Sequence, residues 1–175
     1  QEIRNCIYQG PFNDFLRNAA ISEKWLIFAQ ATKEEVLNGR FGNEERILRF
    51  FAMLEEWHDY RGNLAQFLNT YMDKNKSCSK EKIYHFQEIL QETLEIANKL
   101  NIPPDIRKNK NLTEGILVGI GKNLSLLTPL SEQELNNKLS VLLASPPYTE
   151  DIREGMAHTV KVKERISAAI HAWEA

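Results

Sequence analysis

Asn43-Glu-Glu-Arg-Ile-Leu-Arg-Phe-Phe-Ala-Met-Leu-Glu-Glu-Trp-His-Asp-Tyr60 is the stretch on which the fold turns. Ile47, Phe50, Phe51, Leu54 and Trp57 recur at helical spacing and form one wide apolar face. Asn43 is expected to cap the amino end, where Glu44 and Glu45 suit the positive end of the helix dipole. Gly62 is the expected stop. No neighbouring segment carries as much aromatic surface, so this helix is expected to be the centre of the core.

Toward the amino terminus, Ile3, Cys6 and Ile7 share a face ended by Gly10, and Pro11 suits the first position of a helix containing Phe12, Phe15 and Leu16. Ser22 is expected to cap a third helix with Trp25, Leu26 and Phe28. Val36 and Leu37 suggest one turn before Gly39 and Gly42.

Toward the carboxyl terminus, Asn63 caps a helix with Leu64, Phe67, Leu68, Tyr71 and Met72 inward, followed by a polar loop over 73–79. Ser79 opens the longest helix, running to about Leu100 and stopped by Asn101 and Pro103-Pro104. Asp105 to Asn111 reads as a basic connector, and Thr113 as the start of a glycine-containing helix. Ser131-Glu-Gln-Glu134 is a capping box. It opens a helix with Leu135, Leu139, Leu142 and Leu143, ended by Pro146-Pro147. A loop from Tyr148 to His158 precedes a last helix that begins at Thr159 and turns Val162, Ile166, Ala169, Ile170 and Trp173 inward. No alternating strand pattern and no repeat occurs. The expected fold is all-α, an irregular bundle of about eight to ten helices in one domain spanning 1–175, with a possible subdivision near 101–112.

At 175 residues the chain is long enough to bury a core without disulfides or metals. A net charge of −2 gives no bulk electrostatic argument for nucleic acid or membrane binding. Cys6 and Cys78 are too few for a disulfide framework, so reduced thiols in a cytoplasmic setting are expected. No apolar run reaches membrane-spanning length. Beginning at Gln1, without a methionine and already inside a helical pattern, the chain is expected to be a piece of a longer protein.

No motif for chemistry is complete. Glu55-Glu-Trp-His58 places a carboxylate and an imidazole three apart, as in di-iron bundles. A second such pair is missing, since Glu81/His85 and Glu154/His158 are spaced by four. Gly115, Gly119 and Gly121 with Lys122 approach a phosphate loop, but Ile116 and Asn123 stand where that pattern needs glycine and Ser or Thr. Close helix packing through small residues explains these glycines better. Cys78 has Lys76 and Lys80 nearby, which would lower its pKa, but nothing else supports a nucleophile there. The basic clusters Arg107-Lys-Asn-Lys110 and Lys161-Val-Lys-Glu-Arg165 lack the interleaved aromatics of single-strand binders. No catalytic, metal or cofactor site is expected.

Gln1-Glu-Ile-Arg-Asn5, Tyr8-Gln-Gly-Pro-Phe-Asn13, Glu45-Arg-Ile-Leu-Arg-Phe50, Phe67-Leu-Asn-Thr-Tyr-Met72 and Val160-Lys-Val-Lys-Glu-Arg-Ile166 occur in that order. Together they resemble the helical part of the GmrS-type restriction-endonuclease family, proteins with a ParB/sulfiredoxin-like N-terminal domain. The resemblance implies a parent protein that cleaves foreign or modified DNA. Its signature, Asp-Gly-Gln-Gln-Arg, would lie upstream and is not among these residues. The chain is then expected to be a non-catalytic module that braces the nuclease-like domain. Arg4, Arg46, Arg49, Lys161 and Arg165 are the candidates for contact with DNA or that domain. Arg49 stands out, because it lies off the centre of the buried stripe, free to pair with an acid or to reach a partner. The alternatives are a metalloenzyme built on Glu55 and His58, or a purely protein-binding helical domain.

Overall fold

Every residue from Leu112 to Ile120 is buried, so the helix that carries them has no solvent face. This computed structural model describes residues 7–39, 42–149 and 158–174. Among them are twelve helices and no strand. In chain order the helices are α1 (Pro11–Ala20), α2 (Glu23–Ala29), α3 (Lys33–Asn38), α4 (Gly42–Glu56), α5 (Leu64–Asn75) and α6 (Lys80–Ala97). There follow α7 (Pro104–Lys108), α8 (Lys110–Lys122), α9 (Leu124–Leu127), α10 (Glu132–Leu143), α11 (Pro146–Thr149) and α12 (Thr159–Glu174). A 3-10 turn, Trp57–Asp59, follows α4. Eight helices have seven residues or more, and four short ones turn corners.

The buried helix is α8, and α12, α4 and α6 pack around it. This corrects the expectation that Asn43–Tyr60 forms the centre. Helix α4 is covered on every side only from Phe50 to Leu54, while Asn43, Glu45, Arg46 and Arg49 in its first half stay partly exposed. A helix apolar all round belongs in the middle. Its own aromatics made α4 conspicuous, whereas α8 is built from smaller residues, Gly115, Ile116, Leu117, Val118, Gly119 and Ile120.

The glycines set how closely α12 approaches. A Cβ on Gly119 would lie 2.5 Å from Trp173 Cδ1 and 2.8 Å from Ala169 Cβ. One on Gly115 would lie 2.4 Å from the Tyr148 hydroxyl. Both are far inside van der Waals contact, so only glycine admits these side chains. Small-residue packing, and not a phosphate loop, is what Gly115 and Gly119 do.

On the other side of the core, α1, α4 and α6 meet through rings. Phe51 lies 4.8 Å from Phe86 between centroids, Phe12 lies 5.1 Å from Phe86, and Tyr71 of α5 lies 5.9 Å from Phe12. The tilted and edge-on geometries are those aromatic pairs prefer, each adding about 0.5–1.5 kcal/mol beyond area burial. All four rings are fully buried.

Several boundaries differ from the sequence reading for local reasons. The basic connector is helical. Asn109, not Thr113, starts α8, its side chain accepting from the Asn111 and Leu112 amides. Asn43 lies inside α4, and its side chain accepts from Trp25 Nε1 at 3.1 Å. Helix α5 runs on to Asn75, into the expected loop. Pro146-Pro147 ends one helix and also opens another, with proline needing no amide partner in a first turn. The capping box at Ser131 forms as expected, with Glu134 N to Ser131 Oγ at 3.3 Å and Ser131 N to Glu134 Oε2 at 2.8 Å. No helix among the described residues is long and apolar enough to cross a membrane.

Candidate functional site

The α4–α8–α12 junction carries the most concentrated buried charge. Arg49, on the polar shoulder of α4, takes the first of its two options and pairs with an acid. Its Nε donates to Glu114 Oε2 at 2.6 Å and its Nη2 to Asn111 Oδ1 at 2.6 Å. The side chains are 12% and 4% exposed, so the pair is nearly dry. Burial disfavours the charge on Arg49, but the Glu114 carboxylate outweighs it and holds the guanidinium above its ordinary pKa.

Arg165 of α12 enters the same cluster and is buried. Its Nε donates to the Asn111 carbonyl at 3.0 Å and its Nη1 to the Lys161 carbonyl at 3.4 Å. Burial lowers its pKa, and Glu114 offsets part of that. Tyr60 and Tyr148 line the cluster, both buried, and burial raises both phenols. Among the described residues, the Tyr148 hydroxyl and Glu114 Oε1 have no hydrogen-bond partner.

Arg46, one turn before Arg49, is held differently. Its Cζ lies 5.3 Å from the Trp25 ring centroid and 5.7 Å from that of Phe28. Arg107 of α7 lies 5.6 Å from the same Phe28 ring, and its Nη1 donates to the Phe28 carbonyl at 2.9 Å. Burial, with Arg49 and Arg107 nearby, brings the Arg46 guanidinium down to about 10. Arg46 Nη2 is buried with no acceptor.

The residues singled out from the sequence therefore part company. Arg49 and Arg165 share one buried cluster, with Arg46 one turn away against aromatic rings. Neither Arg49 nor Arg165 presents its charge to solvent, so neither is placed to meet a phosphate backbone. Lys161 is exposed on α12, and Arg4 lies outside the described residues. Glu114, Asn111 and Tyr148 were not singled out, and Arg107 only as part of a basic cluster. The available signal was Glu114 itself, a carboxylate embedded in an apolar run, because such a group is almost never buried unpaired.

Glu55 and His58 lie in different elements. The α-helix ends at Glu56, and His58 lies in the 3-10 turn that follows it. Glu55 Oε2 instead accepts from the Tyr71 hydroxyl at 2.7 Å, and the His58 carbonyl receives Arg61 and Lys163. No three His, Cys, Asp or Glu side chains among the described residues come together as a metal site. For Cys78 only the expected lowering of the thiol is corrected. Burial pushes its thiol up, and the nearby Lys82 only partly opposes this.

Compared with protein-family models, with curated proteins and with solved structures, the chain matches none of them.

Proposed function

We propose that this chain is a non-catalytic helical module that braces a neighbouring domain of a larger protein. The motif order quoted above supports a GmrS-type restriction enzyme for phage defence as that protein, in a cytoplasmic setting. The neighbouring domain is then the nuclease-like one. The observation that carries the reading is the inward use of charge at Arg49, Glu114, Asn111 and Arg165. Three helices are pinned to one another by charge-assisted hydrogen bonds in a dry junction, which is how a rigid support is built. A catalytic cluster would instead leave such groups facing a cleft.

The test has two parts. The reading frame preceding Gln1 is expected to encode Asp-Gly-Gln-Gln-Arg. That upstream region, expressed as a separate polypeptide, is expected to co-elute with this chain in size-exclusion chromatography. A preceding frame without the motif overturns the family, and separate elution of the two polypeptides overturns the bracing role.

A further inference from the structure

We propose that the cleft between α1 and α6, closed at one end by the start of α2, binds a guanidinium carried on an aliphatic stem. This goes beyond the bracing role and does not depend on it.

The cleft has a volume of about 370 Å³, and its floor is apolar, with Phe15 of α1 against Leu90 and Leu94 of α6. These three side chains are largely covered by their own neighbours, so the floor is a narrow strip and not an open apolar face. Polar groups line its rim. Asn18 stands on the α1 side, Gln87 and Gln91 on the α6 side, and Glu23 at the start of α2. Gln87 and Gln91 are four residues apart, so they share one face of α6 about 6 Å apart along its axis. Among the described residues, none of these four side chains has a hydrogen-bond or ion-pair partner.

The walls are fixed before any ligand arrives. Lys24, next to Glu23, pairs with Glu95 of α6. The Asn98 side chain, just past the end of α6, donates to the Lys24 carbonyl at 3.0 Å. Both contacts tie the start of α2 to the end of α6, so little ordering is left for binding to supply.

Charge selects the ligand. From Gln87 to Ala97, the part of α6 that walls the cleft, there are three acids, Glu88, Glu92 and Glu95, and no cation. Across from it, α1 and the start of α2 carry Asp14 and Glu23 with Arg17 and Lys24. Lys24 is taken up by Glu95, and the charge of Arg17 acts on Glu44 of α4. Five carboxylates therefore stand against two cations that are already engaged, and this field repels anions and draws cations. The amide oxygens of Asn18, Gln87 and Gln91 and the Glu23 carboxylate are acceptors spread along the rim. A guanidinium, with five donors in one plane, reaches several separated acceptors, whereas an ammonium is a single point of charge. Its stem lies on the apolar floor, as long basic side chains do on apolar surface. Such a group arrives either on a small molecule or as an arginine of a partner segment.

The isotope-labelled whole chain is titrated by amide NMR with agmatine, with a blocked Gly-Arg-Gly peptide, and with the same peptide carrying citrulline. The side-chain amide signals of Asn18, Gln87 and Gln91 are expected to shift and saturate with agmatine or the arginine peptide. The citrulline peptide, which keeps the shape and loses the charge, is expected to leave them in place. Glu23→Gln and Gln91→Leu, both at exposed side chains, are expected to weaken binding, the first by about tenfold, the worth of one charge-assisted hydrogen bond. Glu164→Gln, at an exposed side chain of α12, is expected to leave it unchanged. Binding of agmatine as tightly as the arginine peptide assigns the cleft to small guanidinium compounds. Tighter binding of the peptide assigns it to an arginine of a partner segment. The proposal is overturned if neither ligand saturates these signals at millimolar concentration, or if the citrulline peptide binds as well as the arginine one. It is equally overturned if Glu23→Gln and Gln91→Leu, with native circular dichroism, both bind as the unaltered chain does.

Discussion

Removing Arg49 tests whether the buried junction holds the fold. Arg49→Met keeps a long apolar stem on α4 but takes the guanidinium away. Glu114 then loses the donor at 2.6 Å, and Asn111 Oδ1 loses the one at 2.6 Å. Glu114 is only 4% exposed, so water cannot replace what is lost without opening the α4–α8 contact. Breaking a buried pair by deleting one partner costs about 3–5 kcal/mol. In a chain of this length about 2–4 °C of Tm accompanies each kcal/mol, so a fall on the order of 10 °C is expected. The assay is urea denaturation followed by far-ultraviolet circular dichroism, with the slope of the transition unchanged. The double variant Arg49→Met/Glu114→Leu removes both charges and is expected to recover more than about 1 kcal/mol relative to the sum of the single changes. Arg165 keeps its two backbone acceptors in that variant. A loss below about 1 kcal/mol for Arg49→Met, the level of an exposed ion pair, refutes the reasoning. So does strict additivity in the cycle.

Gly119→Ala is expected to destabilise by about 1–2 kcal/mol, because overpacking against Trp173 and Ala169 exceeds the helix-propensity gain of alanine; thermal unfolding reads this as a lower Tm. At alkaline pH the buried phenols of Tyr60, Tyr71 and Tyr148 govern stability, all three raised by burial above the ordinary value of 10.0. The unfolded chain loses those protons first, so the stabilisation is present below pH 10 and is lost as pH rises beyond it. Arg46, held down to about 10, acts in the opposite sense, one group against three. Phenolate absorbance for these residues is therefore expected to appear together with loss of helix, and full ionisation in a still-folded chain would contradict it. Ser131→Ala removes the side-chain half of the α10 capping box and is expected to cost about 1 kcal/mol in the urea midpoint.

The amino-acid sequence by itself determined the class of fold and most helix positions, because these follow from short-range rules. Apolar spacing, prolines and caps act within a few residues, and Ser131, Asn63 and Ser79 cap where their chemistry says they should. The sequence also pointed to close packing at Gly115 and Gly119, since a failed phosphate pattern leaves small-residue contact as the reason for the glycines. What only the tertiary structure decided was which helix lies in the middle and which charges face inward. Asn43–Tyr60 looked central because aromatic side chains dominate a one-dimensional reading. Position in the core depends instead on how many sides of a helix are covered, and α8 is covered on all of them. Arg49 was legible as a cation without an obvious place, but its acid stands 65 residues away at Glu114. No local pattern joins two groups at that separation. Only the packing of α4 on α8 brings them together, and burial then turns a surface-type residue into part of the frame.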